Sequence, residues 1–273
     1  MEKAITRLRL PFYLAWVTGL ALFVGLIVFQ GLDDMIAVLY AAGWGLVWVA
    51  VFHLAPLLAD ALSWRALLPA THRRSFGEIT WMRWIGESIN TLLPVAQVGG
   101  DIVRVRLLNR TGVPGAMASA TVIVDITAGM LTLIVFALLG VALLLRHGGA
   151  GEITTQVFIG IAMFATLSLG FYLAQRAGVF IGFVRLVEHL ANGHEWRSLS
   201  GGAAALDHMV ERLYRRRRPV LIACAWRLLG WLLGTGEVWL TLYFLGHPVT
   251  LSEALILESL GQAIRAAAFA IPG

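Results

Sequence analysis

Glu87, Asn90, Gln97, Asp101, Arg104 and Arg106 fall within residues 85–106, a stretch otherwise apolar enough to enter a bilayer. Pro94 interrupts its helical pattern, and Gly99-Gly100 adds a flexible pair. Polar side chains and broken backbone survive at membrane depth only when buried in protein or lining a wet cavity. Asp101 and Arg104 are three apart and would pair on a helix. A guanidinium matches a phosphate bidentately, so Arg104 is a candidate receiver for a lipid phosphate. The duller alternative is a positive cluster that only marks a membrane boundary.

A second constellation lies near the end of the chain. Glu258, Gln262 and Arg265 recur at i, i+4 and i+7, so one helical face collects them. A charge near the membrane centre costs roughly 2.5–3.5 kcal/mol on insertion scales, which calls for compensation. A Glu–Arg pair that merely holds helices together is the alternative to a site. Asp125 shares a small, polar face with Thr121, Ala128 and Thr132, and Glu237 lies beside Gly230 and Gly234, a small-residue packing stripe. Either acid could carry a proton for coupled transport, or serve as a hydrogen-bonding packing group. His53 stands alone and reads as a packing or interfacial group. No His/Cys/Asp spacing makes a metal site. No cofactor and no catalytic residue is expected.

The elements that must position these residues are membrane helices. The chain of 273 residues is 59% hydrophobic and 14% charged, with a mean hydropathy of +0.79. A soluble domain carries roughly a quarter charged residues. Apolar runs predict spans over 11–29, 36–59, 116–145, 153–174 and 219–245. Two further elements, 79–98 and 250–272, read as broken. Asp60 to Glu78 reads as a polar, basic stretch, 101–114 as a basic linker and 176–218 as a cytoplasmic segment. Within that segment Phe180, Phe183, Val184 and Val187 have helical spacing suited to a membrane surface. The first run is long and lacks a clear cleavage site, so it reads as a retained span. Cys224 is the only cysteine, which excludes an intramolecular disulfide. The closing Ile271-Pro272-Gly273 falls inside a hydrophobic stretch, and the chain is expected to be truncated there. The fold expected is a single all-α polytopic membrane domain over 1–273. It would have five to six transmembrane helices, one or two re-entrant or broken elements and an inverted repeat.

The net charge of +5 and pI near 10.0 would suggest nucleic acid for a soluble protein. Here the cations flank spans. Of 21 Lys and Arg, three lie at the N-terminus, seven in 60–110 and eight in 176–218. The positive-inside rule puts these regions in the cytoplasm. Residues 79–98 must then enter and leave on the cytoplasmic face, as a re-entrant hairpin or an interfacial helix anchored by Trp81 and Trp84. Otherwise Arg104, Arg106 and Arg110 would lie outside. Glu258-Ser259 repeats Glu87-Ser88, and the second element enters from the outer face. Two such elements would form an inverted pair of the kind that builds transporter sites near the midplane. The candidate headgroup site is Glu87, Asn90, Pro94, Gly99, Gly100, Asp101 and Arg104 from one, and Glu258, Gln262 and Arg265 from the other. Glu87, Arg104, Glu258 and Arg265 are expected to converge on one cavity. Asp125 and Glu237 are candidate coupling acids.

The pattern Asn90…Leu93-Pro94…Gly99-Gly100-Asp101…Arg104 resembles the first signature of the flippase-like membrane domain of lysylphosphatidylglycerol synthases and their stand-alone relatives. The family's second signature, a Pro-Gly-rich stretch continuing to a glutamate, is represented here only by Ile271-Pro272-Gly273. Within the family the likeness is greatest to the hopanoid-biosynthesis-associated membrane protein L. The resemblance implies a bacterial inner-membrane protein, N-terminus cytoplasmic, that moves or handles a polar lipid with a phospholipid or hopanoid headgroup. Lipid-biosynthetic enzymes are its implied partners. An aminoacyl-transferase domain is absent, so aminoacylation is not implied.

Three function classes follow. A lipid transporter would use the two broken elements as a polar path for a headgroup. A membrane enzyme acting on lipid headgroups could use Glu87, Glu258 or Asp125 as general acids or bases, but no nucleophile–base or metal pairing supports it. A scaffold for lipid-biosynthetic enzymes would dock them on the arginine-rich cytoplasmic segment.

Overall fold

The computed structural model describes residues 25, 36, 39–40, 42–92, 99–146, 152–182 and 197–270. Among them no strand, one short 3-10 helix (Ala70–His72) and nine α-helices occur. In chain order they are α1 (Gly45–Phe52), α2 (Leu54–Leu67), α3 (Phe76–Leu92), α4 (Gly99–Arg110), α5 (Gly115–Arg146), α6 (Glu152–Arg176), α7 (Arg197–Arg215), α8 (Arg217–Phe244) and α9 (Leu251–Ala270). Four runs are long and apolar enough to cross a membrane: 45–67, 115–146, 155–176 and 217–244. The expected span over 11–29 lies outside the described residues, as do Pro94, Gln97, Phe183, Val184, Val187 and Pro272.

Helix α5 is the axis of the bundle, touching α2, α4, α6, α7, α8 and α9. Its small residues explain why. Ala118, Ala120, Ala128 and Ala137 are all buried, and small side chains let helix backbones approach closely. At Gly140 a Cβ would overlap the Ser259 side chain of α9. Four apolar clusters surround α5. One joins Trp64, Ile79, Leu108 and Val122 from α2 to α5, another joins Leu67, Val124, Val210 and Ala223, a third joins Phe136 to Phe164 of α6, and a fourth joins Ala137 and Val141 to Ile161 and Ala263.

Several sequence boundaries move. The second span ends later than 36–59 predicts, because the chain stays helical through His53 and on to Leu67. Trp64, Leu67 and Leu68 are fully buried, so the start of the supposed polar stretch belongs to the core. The supposed linker over 101–114 is mostly helix, α4, whose Leu108 is buried against α2 and α3. Helix α7, inside the segment read as cytoplasmic, packs Val210 and Leu213 onto α5. Its Asp207 accepts the backbone N–H groups of Phe180 and Ile181 at 3.3 and 2.7 Å, tying the end of α6 to it. Helix α9 is continuous from Leu251 to Ala270, so no break interrupts its described length.

Helices α3 and α4 form a hairpin. Gly86 and Gly100 face each other so closely that a Cβ on Gly100 would overlap the Gly86 carbonyl oxygen. Asn90 Oδ1 accepts the Gly100 N–H at 2.7 Å, which holds the far end shut. The open end closes as well: Arg74 donates to the Thr111 carbonyl, and Arg65 Nε–H donates to the Arg74 carbonyl at 3.1 Å. The chain therefore returns to the end of α2 from which it set out. The 17 residues of α3 rise about 25 Å, most of a bilayer's hydrocarbon core. Ser75 and Glu78 start α3 with a capping box, and Thr250 and Glu253 start α9 with another. The Ser75 hydroxyl and backbone N–H hold the Glu78 carboxyl below its ordinary range.

Candidate functional site: an inner ion cluster and an outer acidic triad

The bundle must accommodate charges from five helices, and it does so around Asp125. This aspartate on α5 is fully buried. Its Oδ2 accepts from Arg83 of α3 at 3.0 Å, Arg104 of α4 at 2.7 Å and Arg227 of α8 at 3.1 Å. Its Oδ1 accepts from the Ser63 hydroxyl of α2 at 2.9 Å. Asp60 of α2 takes the other arms of Arg83 and Arg227 at 2.5 and 2.6 Å. Asp101 takes the other arm of Arg104 at 2.9 Å. Three aspartates thus face three arginines, and the formal charge is zero. Breaking such a set is strongly unfavourable, because the survivors remain buried and unpaired.

Small residues make the room. A Cβ at Gly129 would sit 3.3 Å from the Arg227 guanidinium carbon, and one at Gly230 would press on Asp60. Gly86 gives way to the Arg104 methylenes. The Arg104 guanidinium also lies 4.3 Å over the buried Trp64 ring, a cation–π contact, and Trp64 Nε1–H donates to Thr121 Oγ1 at 3.2 Å. Within this cluster two donors stay unused, Arg104 Nε–H and Arg227 Nε–H.

A second group lies farther along α8. His53 Nδ1 is 2.9 Å from Glu237 Oε2, and His53 Nε2 is 3.5 Å from Glu87 Oε1. Two carboxyl groups thus face one imidazole, and when both are ionised they leave surplus negative charge. The side chains are 46%, 37% and 30% exposed for His53, Glu87 and Glu237, whereas Arg104 is 3% exposed. Arg227 and Glu237 are ten residues apart, about 15 Å along the helix. Glu258 of α9 points toward Gly234, within one turn of Glu237, and accepts from Gln262 Nε2 at 2.9 Å.

The sequence-predicted residues therefore divide. Asp101, Arg104 and Asp125 come together, and Asn90, Gly99 and Gly100 shape the hairpin that carries Arg104. Glu87 and Glu237 meet through His53 instead, and Glu258 pairs with Gln262. Glu87 and Arg104 thus sit in different groups. Arg265 is exposed and forms no ion pair with Glu258. Sequence reasoning missed Asp60, Arg83 and Arg227, and it set His53 aside. A signal existed for Arg227: it stands alone within a span, where an unpaired cation is costly. Arg83 was counted only as a topological charge.

The lysylphosphatidylglycerol synthase TM region, as a family, matches residues 16–273 of the chain. No curated protein and no solved structure matches it.

Proposed function

This chain belongs to the lysylphosphatidylglycerol synthase TM-region family, a membrane family linked to lipid metabolism, and from that premise we propose that it translocates a polar lipid across the bacterial inner membrane. The observation that carries the reading is the half-exposed Glu87–His53–Glu237 triad beside a sealed, neutral ion cluster. Surplus negative charge on side chains that the bundle leaves uncovered suits the ammonium of a zwitterionic headgroup. The tail, phospholipid acyl or hopanoid polycycle, stays in lipid.

The hairpin supports this reading in a second way. Helix α3 sets out from the end of α2, and α9 sets out from the end of α8, and α2 packs against α8. Each of the two elements opens on a capping box. With the N-terminus cytoplasmic, α3–α4 enters from inside and α9 from outside, the inverted pair expected of a transporter. Of the two candidate coupling acids, Asp125 is saturated by four donors, whereas Glu237 shares its contact with the reachable His53. Glu237 is the proton carrier in this proposal.

The test is translocation of fluorescent phospholipids in vesicles carrying the purified protein. Glu87→Gln and Glu237→Gln should each slow translocation. If Glu87→Gln and Glu237→Gln insert, melt like the parent and translocate at the parent's rate, the transport site is wrong, and the enzyme and scaffold readings move ahead.

A further inference from the structure

Away from the Glu87–His53–Glu237 triad, the end of the bundle where α6 stops at Arg176 and α8 starts at Arg217 holds a cavity of about 390 Å³ between α5, α6, α7 and α8. That volume lies in the usual range for small-molecule sites, about 300–1,000 Å³. Its walls are mainly apolar, with Val124, Leu131, Val220 and Leu221 among them, and its polar groups are Tyr172, Arg176, Tyr214 and Arg217, with Thr127 at the floor. Leu221 is 66% exposed, so this wall opens on the side that faces lipid.

The arginines here differ from those inside the bundle. Arg83, Arg104 and Arg227 all meet carboxylates. Arg215 meets Glu211 at 2.8 Å. Among the described residues Arg176 and Arg217 meet none, and Arg176 reaches only the Tyr172 hydroxyl, at 3.3 Å. The neighbouring polar groups are already partnered. The Tyr214 hydroxyl donates to Gln175 Oε1 at 2.7 Å, and Gln175 Nε2–H donates to Thr127 at 2.9 Å. Tyr172 and Tyr214 stack edge to face, with centroids 5.0 Å apart, and form a rigid aromatic wall. Burial pushes the Tyr214 phenol up to about 12, so it stays neutral and adds no repulsion toward an anion.

We propose that this cavity is a binding site for an anionic phospholipid of the cytoplasmic leaflet, its phosphate held between Arg176 and Arg217 and its acyl chains laid along Leu131, Val220 and Leu221. Two guanidinia that meet no carboxylate among the described residues favour an anion, and planar forks suit a phosphate. The apolar walls and the lipid-facing opening favour a phosphate that carries a tail over the free ion. Basic pockets between transmembrane helices on the cytoplasmic side are the recurrent form of such sites. The site is distinct from the proposed headgroup path: Arg217 and Glu237 are twenty residues apart on α8, about 30 Å. It does not depend on transport.

Native mass spectrometry and thermal melting of the whole chain, in detergent doped with phosphatidylglycerol or with phosphatidylcholine, test the proposal. Phosphatidylglycerol should be retained and raise the melting temperature, and phosphatidylcholine should do neither. The Arg176→Gln/Arg217→Gln double variant should retain phosphatidylglycerol roughly thirtyfold more weakly, the product of two arginine contacts at a membrane surface. An Arg216→Gln/Arg218→Gln variant removes the same charge from the same end and should retain it normally. Inorganic phosphate should not shift the melting temperature. Equal retention by the first double variant would overturn the proposal. So would an equal loss in both, which would mean general surface attraction. A shift with inorganic phosphate matching that of the lipid would make it a free-anion site and overturn the lipid assignment.

Discussion

The inner cluster and the outer triad use the same kinds of side chain to opposite ends. Asp60, Asp101 and Asp125 balance Arg83, Arg104 and Arg227, and Asp125 has no exposure at all. Glu87 and Glu237 share one histidine and stay a third exposed. Charge that is balanced and sealed can hold helices in register, but it has little left to offer a ligand. Charge that is unbalanced and reachable adds little to the fold and can attract one. The hairpin links the two regions, because α3 carries both Arg83 and Glu87, one helical turn apart.

The sharpest way to break this contrast is at its centre. Asp125→Ala leaves three buried guanidinia short of an acceptor and should cost about 3–5 kcal/mol. It should show as loss of monodisperse protein on extraction. Parent-like melting would mean that the cluster does not hold the bundle together. Next in size is the hairpin contact. A methyl at Gly100 collides with backbone of α3, so Gly100→Ala should cost about 1–3 kcal/mol by overpacking, read as a lowered melting temperature. At the triad the account expects the reverse ordering. Glu237→Gln should change stability by under about 1 kcal/mol, as exposed ion pairs do, while translocation falls severalfold. A large loss of stability there would erase the difference between the regions. The smallest effect belongs to the cap of α3. Glu78 is held below the ordinary carboxyl range, so its bond to Ser75 stabilises above that range and is lost as pH falls through the lowered value. Ser75→Ala should therefore lower the melting temperature slightly near neutral pH and hardly at all in strong acid.

Much of this arrangement could be read from residue order. The all-helical membrane class followed from apolar runs, and the polar interruption at Glu87, Asn90, Gly99 and Gly100 located the hairpin. Its second arm stayed hidden because Arg104, Arg106 and Arg110 look like boundary charges, yet one face of α4 buries Gly100, Arg104 and Leu108. The cluster itself was less legible. Asp60, Asp125 and Arg227 are separated by 65 and 102 positions, and nothing in local spacing pairs them. What could have been inferred is a count: a lone Asp125 and a lone Arg227 inside spans each demand a partner. The partners of His53 were hidden for the same reason, since both its acids come from other helices.

Thiol accessibility tests the difference between sealed and open most directly. In a Cys224→Ser background, Ser63→Cys places a reporter against Asp125, and Glu87→Cys places one in the triad. A membrane-impermeant, water-soluble thiol reagent applied to purified protein in lipid nanodiscs should label position 87 readily and leave position 63 unlabelled until the protein is denatured. A cationic reagent should react faster than an anionic one at position 87, because Glu237 remains beside it. Equal labelling of the two positions, or protection of both, would contradict the account.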